Sequence, residues 1–169
     1  RGHVVAHGDK FMWAGTNEAF TPTFVMLGNN DGTDLSKVTQ ASLDAFLDEM
    51  FTGHGWNGVH VVVLGQWFHV GDYEVRPSDR KPDPRTFEKL EMIVKTVHAR
   101  GGATHLWLWG DHQRSQTSRS LAGGAMGPEE KAVLDEIHTR LNALPGWTMG
   151  YGFDLHEWVD ADLLRRWHA

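Results

Sequence analysis

Gly58-Val59-His60-Val61-Val62-Val63-Leu64-Gly65-Gln66-Trp67-Phe68 is the stretch on which the fold turns. Val59 to Leu64 is a β-branched run without polar alternation, which fits a strand buried on both faces of a parallel sheet. The segments on either side carry helical periodicity. Upstream, Leu43, Phe46, Leu47 and Met50 fall at i, i+3, i+4 and i+7, one face of a 3.6-residue period. Thr39 or Ser36 is placed to cap that helix, and Gly53 suits its end. Downstream, Asp83 reads as an N-cap and Pro84 as the first helical residue. Phe87, Leu90, Val94 and Val97 follow as an apolar stripe, and Gly101 closes it.

The same unit recurs. Ala103-Thr104-His105-Leu106-Trp107-Leu108-Trp109 reads as a third strand. The third helix opens at Pro128-Glu129-Glu130, acidic residues where the helix dipole favours them, with Val133, Leu134, Ile137, Leu141 and Leu144 as its stripe. A mobile loop carrying Gly123-Gly124 with Ser and Arg neighbours is expected between the two. A fourth strand runs from about Thr148 to Phe153, and a fourth helix starts near Asp160 with Leu163, Leu164 and Trp167. At the start, His3–Ala6 and Lys10–Trp13 flank the turn signal His7-Gly8-Asp9. We read residues 1–13 as a hairpin whose second arm becomes the first strand of the parallel set, with Asn17 and Glu18 in the loop after it. Residues 21–34 hold an apolar piece, Phe24–Leu27, and a turn-rich piece, Gly28–Gly32, which this reading leaves unassigned.

Strands alternating with helices imply right-handed crossovers and a parallel sheet. No G-x-G-x-x-G or P-loop follows any strand, which lowers the nucleotide-binding option. The polar and aromatic residues gather just after strand C-termini, the active face of a barrel. The expected fold is therefore α/β: residues 1–169 as a single parallel (β/α)4 domain, half of a TIM barrel, with a short N-terminal hairpin. Such a half has two open edges and an uncovered face, both of which drive association. It is expected to be completed by another copy of the chain or by a complementary C-terminal half-barrel, and not to persist as a clean monomer.

Composition narrows the function classes. The 169 residues are 40 % hydrophobic and 22 % charged, ordinary for a globular domain. No apolar run approaches the ~20 residues that span a bilayer, so no membrane partner is expected. The formal charge is -6, with 22 acidic against 16 basic residues, and the basic residues are scattered, which argues against a nucleic-acid face. The absence of cysteine removes thiolate chemistry and leaves the compartment undecided. Eight tryptophans favour a carbohydrate surface modestly, since aromatic rings stack on sugars as well as fill cores.

Three stretches carry a family resemblance. His7-Gly8-Asp9-Lys10-Phe11-Met12-Trp13-Ala14-Gly15 is similar to the lead-in of clan A, family 5-like glycoside hydrolases and related barrel proteins. The Gly58–Phe68 stretch resembles their second strand, and Gly101–Asp111 their third. In that clan the fourth strand usually ends in an Asn-Glu pair whose Glu is the general acid/base. Gly150-Tyr151-Gly152-Phe153-Asp154-Leu155-His156-Glu157-Trp158 stands in that place, so the resemblance makes Glu157 the acid/base. His156 replaces the Asn that bonds the sugar hydroxyl beside the reacting carbon. The clan's nucleophile, a Glu ending the seventh strand, has no counterpart among these residues. A retaining mechanism needs two carboxyls roughly 5–5.5 Å apart, so hydrolysis of an O-glycosidic bond would require the missing half.

Around Glu157 the sequence offers sugar contacts at Asp154 and His156, at Gln66, Trp67 and His69 after the second strand, at Trp109, Asp111 and His112 after the third, and at Asn17 and Glu18. Each has a plainer reading: core packing for the tryptophans, a hydrogen-bonded loop for the polar residues, and a helix start for Glu157. His60 and His105 lie inside apolar strands and read as satisfied interior histidines. No metal or cofactor is expected. Asp111-His112 and His156-Glu157 lack an H-E-x-x-H pattern, and counting an EF-hand from Leu27 puts Val38 at its twelfth position, where the loop needs Glu. The expected partner is an oligo- or polysaccharide. The alternatives are a non-catalytic carbohydrate-binding or self-assembling half-barrel, and a flavodoxin-like open sheet.

Overall fold

A computed structural model describes residues 1–28, 32–71, 81–109 and 128–152, together with 161, 162 and 165. The chain is an α/β protein with two sheets among the described residues. The smaller is antiparallel, with β1 (Val4–His7), β2 (Lys10–Trp13) and β3 (Ala19–Phe20) in that order. The larger is wholly parallel, with β4 (Phe24–Met26), β5 (Gly58–Val62), β6 (Ala103–Trp109) and β7 (Trp147–Gly152) side by side in chain order. Among the described residues three helices alternate with these strands: α1 (Gln40–Leu47), which runs on through a π-helical segment Asp48–Gly53, α2 (Pro84–Ala99) and α3 (Pro128–Leu141). Among the described residues no helix is long and apolar enough to cross a membrane.

The hairpin forms as expected, with Gly8 at φ 63 in its turn, a left-handed position that glycine takes without strain. Its second arm, however, does not become the first parallel strand. Asn17 adopts φ 55 and donates its backbone N–H to Trp13 O. This reverses the chain, and β3 then returns antiparallel along β2. Asn tolerates the left-handed region better than other non-glycine residues. The first parallel strand is instead Phe24–Met26, in the segment the sequence left unassigned. It is only three residues long because Gly28, at φ 97, turns the chain away.

The helix boundaries follow local chemistry. Thr39 caps α1 in a reciprocal box with Ser42, which satisfies donors that the first turn leaves free. Asp83 caps α2 ahead of Pro84, and Gly101, at φ 81, follows its end.

The two faces of the parallel sheet differ. Val59, Val61, Val63, Leu106 and Leu108 share one buried cluster with Leu43 and Leu47 of α1, Phe87, Leu90, Ile93 and Val97 of α2, and Val133, Ile137 and Leu141 of α3. All three helices therefore cover this face. The opposite face carries Phe24, His60, Ala103, His105 and Thr148. There the antiparallel sheet packs across the strand starts, with Trp13 and Phe20 against Ala103. Asn57 joins the two parts: its Oδ1 accepts from Thr23 N at 2.8 Å and its Nδ2 donates to Thr21 O at 2.8 Å.

Gly58 faces this junction. A Cβ there would lie 2.1 Å from Phe24 Cε1 and 2.6 Å from the backbone oxygen of Ala103. The Phe24 ring can swing, but the carbonyl is fixed in the ladder. Gly58→Ala is expected to lower stability by about 1–3 kcal/mol, read as a drop in the urea midpoint at neutral pH. An unchanged midpoint would show that Phe24 and Ala103 do not crowd this position.

Candidate functional site

The C-terminal ends of β4, β5 and β6 form one rim, organised by Gln66. This side chain is fully buried. Its Oε1 accepts from Leu35 N at 2.9 Å and Gly71 N at 3.2 Å, and its Nε2 donates to Thr33 O at 2.5 Å. Gln66 thus clamps the connection after β4 to the one after β5. Trp67 is also fully buried. Its Nε1 donates to Leu108 O at 2.8 Å, and its ring packs against Phe87 and Trp109, with centroids at 5.6 and 6.4 Å. Trp109 is 1 % exposed. The structure brings Gln66, Trp67 and Trp109 together at the expected rim, as the packing that shapes it and not as open platforms. His69 lies half-buried beside them, and its Nδ1 is buried with no hydrogen-bond partner among the described residues.

Two expected contacts sit at the other end of the sheet. Glu18 pairs with Arg1 at 3.5 Å, and Arg1 Nη1 donates to Gly101 O at 2.7 Å, just before β6 begins. Asn17 makes the turn that starts β3. Both belong to the antiparallel sheet that crosses the strand starts, so neither reaches the C-terminal rim. Their assignment followed from taking β2 as a parallel strand, and it falls with that assignment. Asp111, His112, Asp154, His156 and Glu157 lie outside the described residues, as do Gly123-Gly124 and, of the expected fourth helix, Leu163, Leu164 and Trp167. Among the described residues no three side chains of metal-ligating type come together.

Asp83 is a rim residue that sequence reading treated only as a cap. Its carboxylate accepts from Arg85 N at 2.9 Å, Arg85 Nη2 at 2.6 Å and Val70 N at 3.1 Å, while its own N–H donates to Trp67 O at 2.7 Å. The bonds from the Arg85 side chain hold this carboxyl down at about 2, against the burial that pushes it up. The Asp-Pro pair signals the cap, but nothing in the sequence shows that the same carboxylate pins the loop at Val70.

The face of the sheet away from the helices holds a second polar cluster. His60 and His105 lie edge to face with centroids 5.4 Å apart. Trp107 Nε1 donates to His60 Nδ1 at 3.2 Å, and His105 Nδ1 pairs with Thr148 Oγ1 at 2.8 Å. Phe24 stands edge-on to His60 at 5.1 Å. The two histidines border a cavity of about 470 Å³ that also takes in Phe11, Phe20 and Met149. Burial pushes His105 down to about 4, assisted by His60, and burial also lowers His60. Each histidine has a hydrogen-bond partner, as expected, but Trp107 was not anticipated in the cluster. The period-two spacing of His105 and Trp107 is the signal that places both on one face.

Comparison of the chain with protein-family models, with curated proteins and with solved structures finds no match.

Two predictions follow from the rim. Gln66→Ala leaves the N–H groups of Leu35 and Gly71 and the carbonyl of Thr33 unpaired in the interior, and is expected to cost about 2–4 kcal/mol; chemical denaturation checks this, and a loss typical of a surface site would refute the clamp. Asp83 has a folded pKa below its ordinary value, so its contribution is complete above the ordinary carboxylate range and is lost as pH falls through about 2. That contribution is roughly 2 kcal/mol. In Asp83→Asn the part of the acid-induced loss of stability that falls between about pH 4 and pH 2 should shrink by that amount.

Proposed function

We propose that this chain is the N-terminal half of a glycoside-hydrolase-type (β/α)8 barrel, acting on an oligo- or polysaccharide once a second set of four strands closes it. The observation that carries the reading is the strictly sequential order β4-β5-β6-β7 with all three helices on one face. A doubly wound sheet reverses direction and places helices on both faces. A barrel winds one way, and its inner face is filled by side chains. Phe24, His60, His105, Trp107 and Thr148 would form part of that inner face. Met149 and Phe11, 47 % and 49 % exposed beside it, are apolar surface of the kind that association removes from water.

In this reading Glu157 is the general acid/base, and His156, Asp154, Asp111, His112 and His69 line the sugar site at the C-terminal rim. The second carboxylate comes from the completing half, at retaining distance. The burial of Gln66, Trp67 and Trp109 favours a second reading, a self-assembling half-barrel that binds carbohydrate without cleaving it.

Two measurements separate these. Light scattering at micromolar concentration should give a mass above that of one 19.0 kDa chain; a stable monomer that melts cooperatively would remove the half-barrel. Glu157→Gln in the closed assembly should lower hydrolysis of an activated aryl glycoside by about 10²-fold or more. Sugar binding without turnover, unaffected by Glu157→Gln, would leave the second reading standing and end the first.

A further inference from the structure

Trp107, His60, His105 and Thr148 lie in a row across three neighbouring strands, β6 to β5 through the indole bond and β6 to β7 through the hydroxyl. The indole N–H is a donor only. His60 Nδ1 must therefore be the acceptor, which fixes His60 as the neutral tautomer with its proton on Nε2. A proton added to Nδ1 removes the lone pair that accepts the Trp107 indole N–H. A charge on either ring also faces the other ring across 5.4 Å.

We propose that this row is a proton-operated latch: neutral His60 and His105 tie β5, β6 and β7 together on the face away from the helices, and mild acid breaks the Trp107–His60 bond and loosens that face while the helix-covered side stays folded. Among the described residues no counter-charge faces the row. His60 meets Phe24 from β4 and Trp107 and His105 from β6; His105 meets Thr148 from β7; and the antiparallel sheet contributes Val4, Phe11 and Phe20. Among these described neighbours there is no carboxylate to pair with an imidazolium. The helix-covered face holds its own apolar cluster and has no part in the row. The proposal concerns the chain itself and stands whether or not the barrel reading does.

The direction in pH follows from linkage. A histidine whose folded pKa lies below its ordinary value binds its proton more readily when released, so the latched state loses ground as pH falls from the ordinary 6.5 towards the value of about 4 for His105. This window lies above the one in which Asp83 titrates, so the two are separable.

The test is an NMR titration of the full chain. The Trp107 indole resonance is assigned by its loss in Trp107→Phe, and the imidazole resonances of His60 and His105 are followed with it. Expected is a shift of the indole resonance with the midpoint of the histidines, and exchange of that N–H faster by about tenfold or more at the acid end, while the amide resonances of α2 stay in place. His60→Gln with His105→Gln keeps an acceptor for Trp107 and removes the titration, and should flatten the transition. An indole resonance that does not move across the window would overturn the proposal, and so would movement of the indole and the α2 amides together, which is global acid unfolding. The titration of the unsubstituted chain decides the matter alone if the double variant does not fold.

Discussion

A parallel sheet whose strands follow one another in chain order can be covered on only one side by its own crossovers. Each crossover is right-handed, so each helix lands on the same face as the last. Here that face is closed by α1, α2 and α3 around Val59, Val61, Val63, Leu106 and Leu108. Everything else in the molecule follows from what remains on the other side. The antiparallel sheet covers its lower part through Trp13, Phe20 and Ala103. Among the described residues the upper part carries His60, His105, Trp107 and Thr148, paired as Trp107 with His60 and His105 with Thr148. Parallel strands are usually covered on both faces, and among the described residues this polar aromatic row stands where the antiparallel sheet does not reach.

The two ends of the sheet are secured by different means. At the strand starts, Asn57 bonds Thr21 and Thr23, and Arg1 reaches Gly101. At the strand ends, Gln66 and Asp83 between them hold Thr33, Leu35, Val70, Gly71 and Arg85. In both places a short polar side chain takes up backbone groups that the ladders leave free, which a buried connection requires. The helices are tied to each other by charge as well as by core. Arg100 at the end of α2 pairs with Asp44 and Asp48, and Arg140 of α3 lies 3.6 Å from Glu91 of α2. These pairs are part-exposed and contribute little beside the apolar cluster.

Much of this was legible in the sequence. The β-branched run at Val59, the capping pair Asp83-Pro84 and the stripes of α2 and α3 each state a local preference that agrees with the fold, and the strands at 58–62, 103–109 and 147–152 fall where those stripes imply. The miss at the first parallel strand has a physical cause. Lys10–Trp13 and Phe24–Met26 are both short apolar pieces, and what distinguishes them is a single left-handed residue, Asn17, whose backbone angle no side-chain pattern encodes. Asn17 and Glu18 were misplaced with it. The rim was legible in position but not in exposure: residues after a strand can face solvent or turn inward. Gln66 and Trp67 turn inward because two carbonyl groups and two N–H groups need them there, and Trp109 packs against Trp67.

That inward turn bears on what the rim can do. Chemistry at a strand end needs groups held within a fraction of an ångström, and this comes from a supporting layer whose own rotamers are fixed. Gln66 meets backbone from both sides of its own strand end, and Asp83 carries the same bonding on to the start of α2. Trp67 packs between Phe87 of α2 and Trp109 at the end of β6. These side chains form a rigid sill beneath the rim. Gln66, Trp67 and Trp109, which the sequence offers as contacts, are thus packing beneath the rim, and in the proposed reading the groups that meet a sugar would stand on the connections this packing fixes.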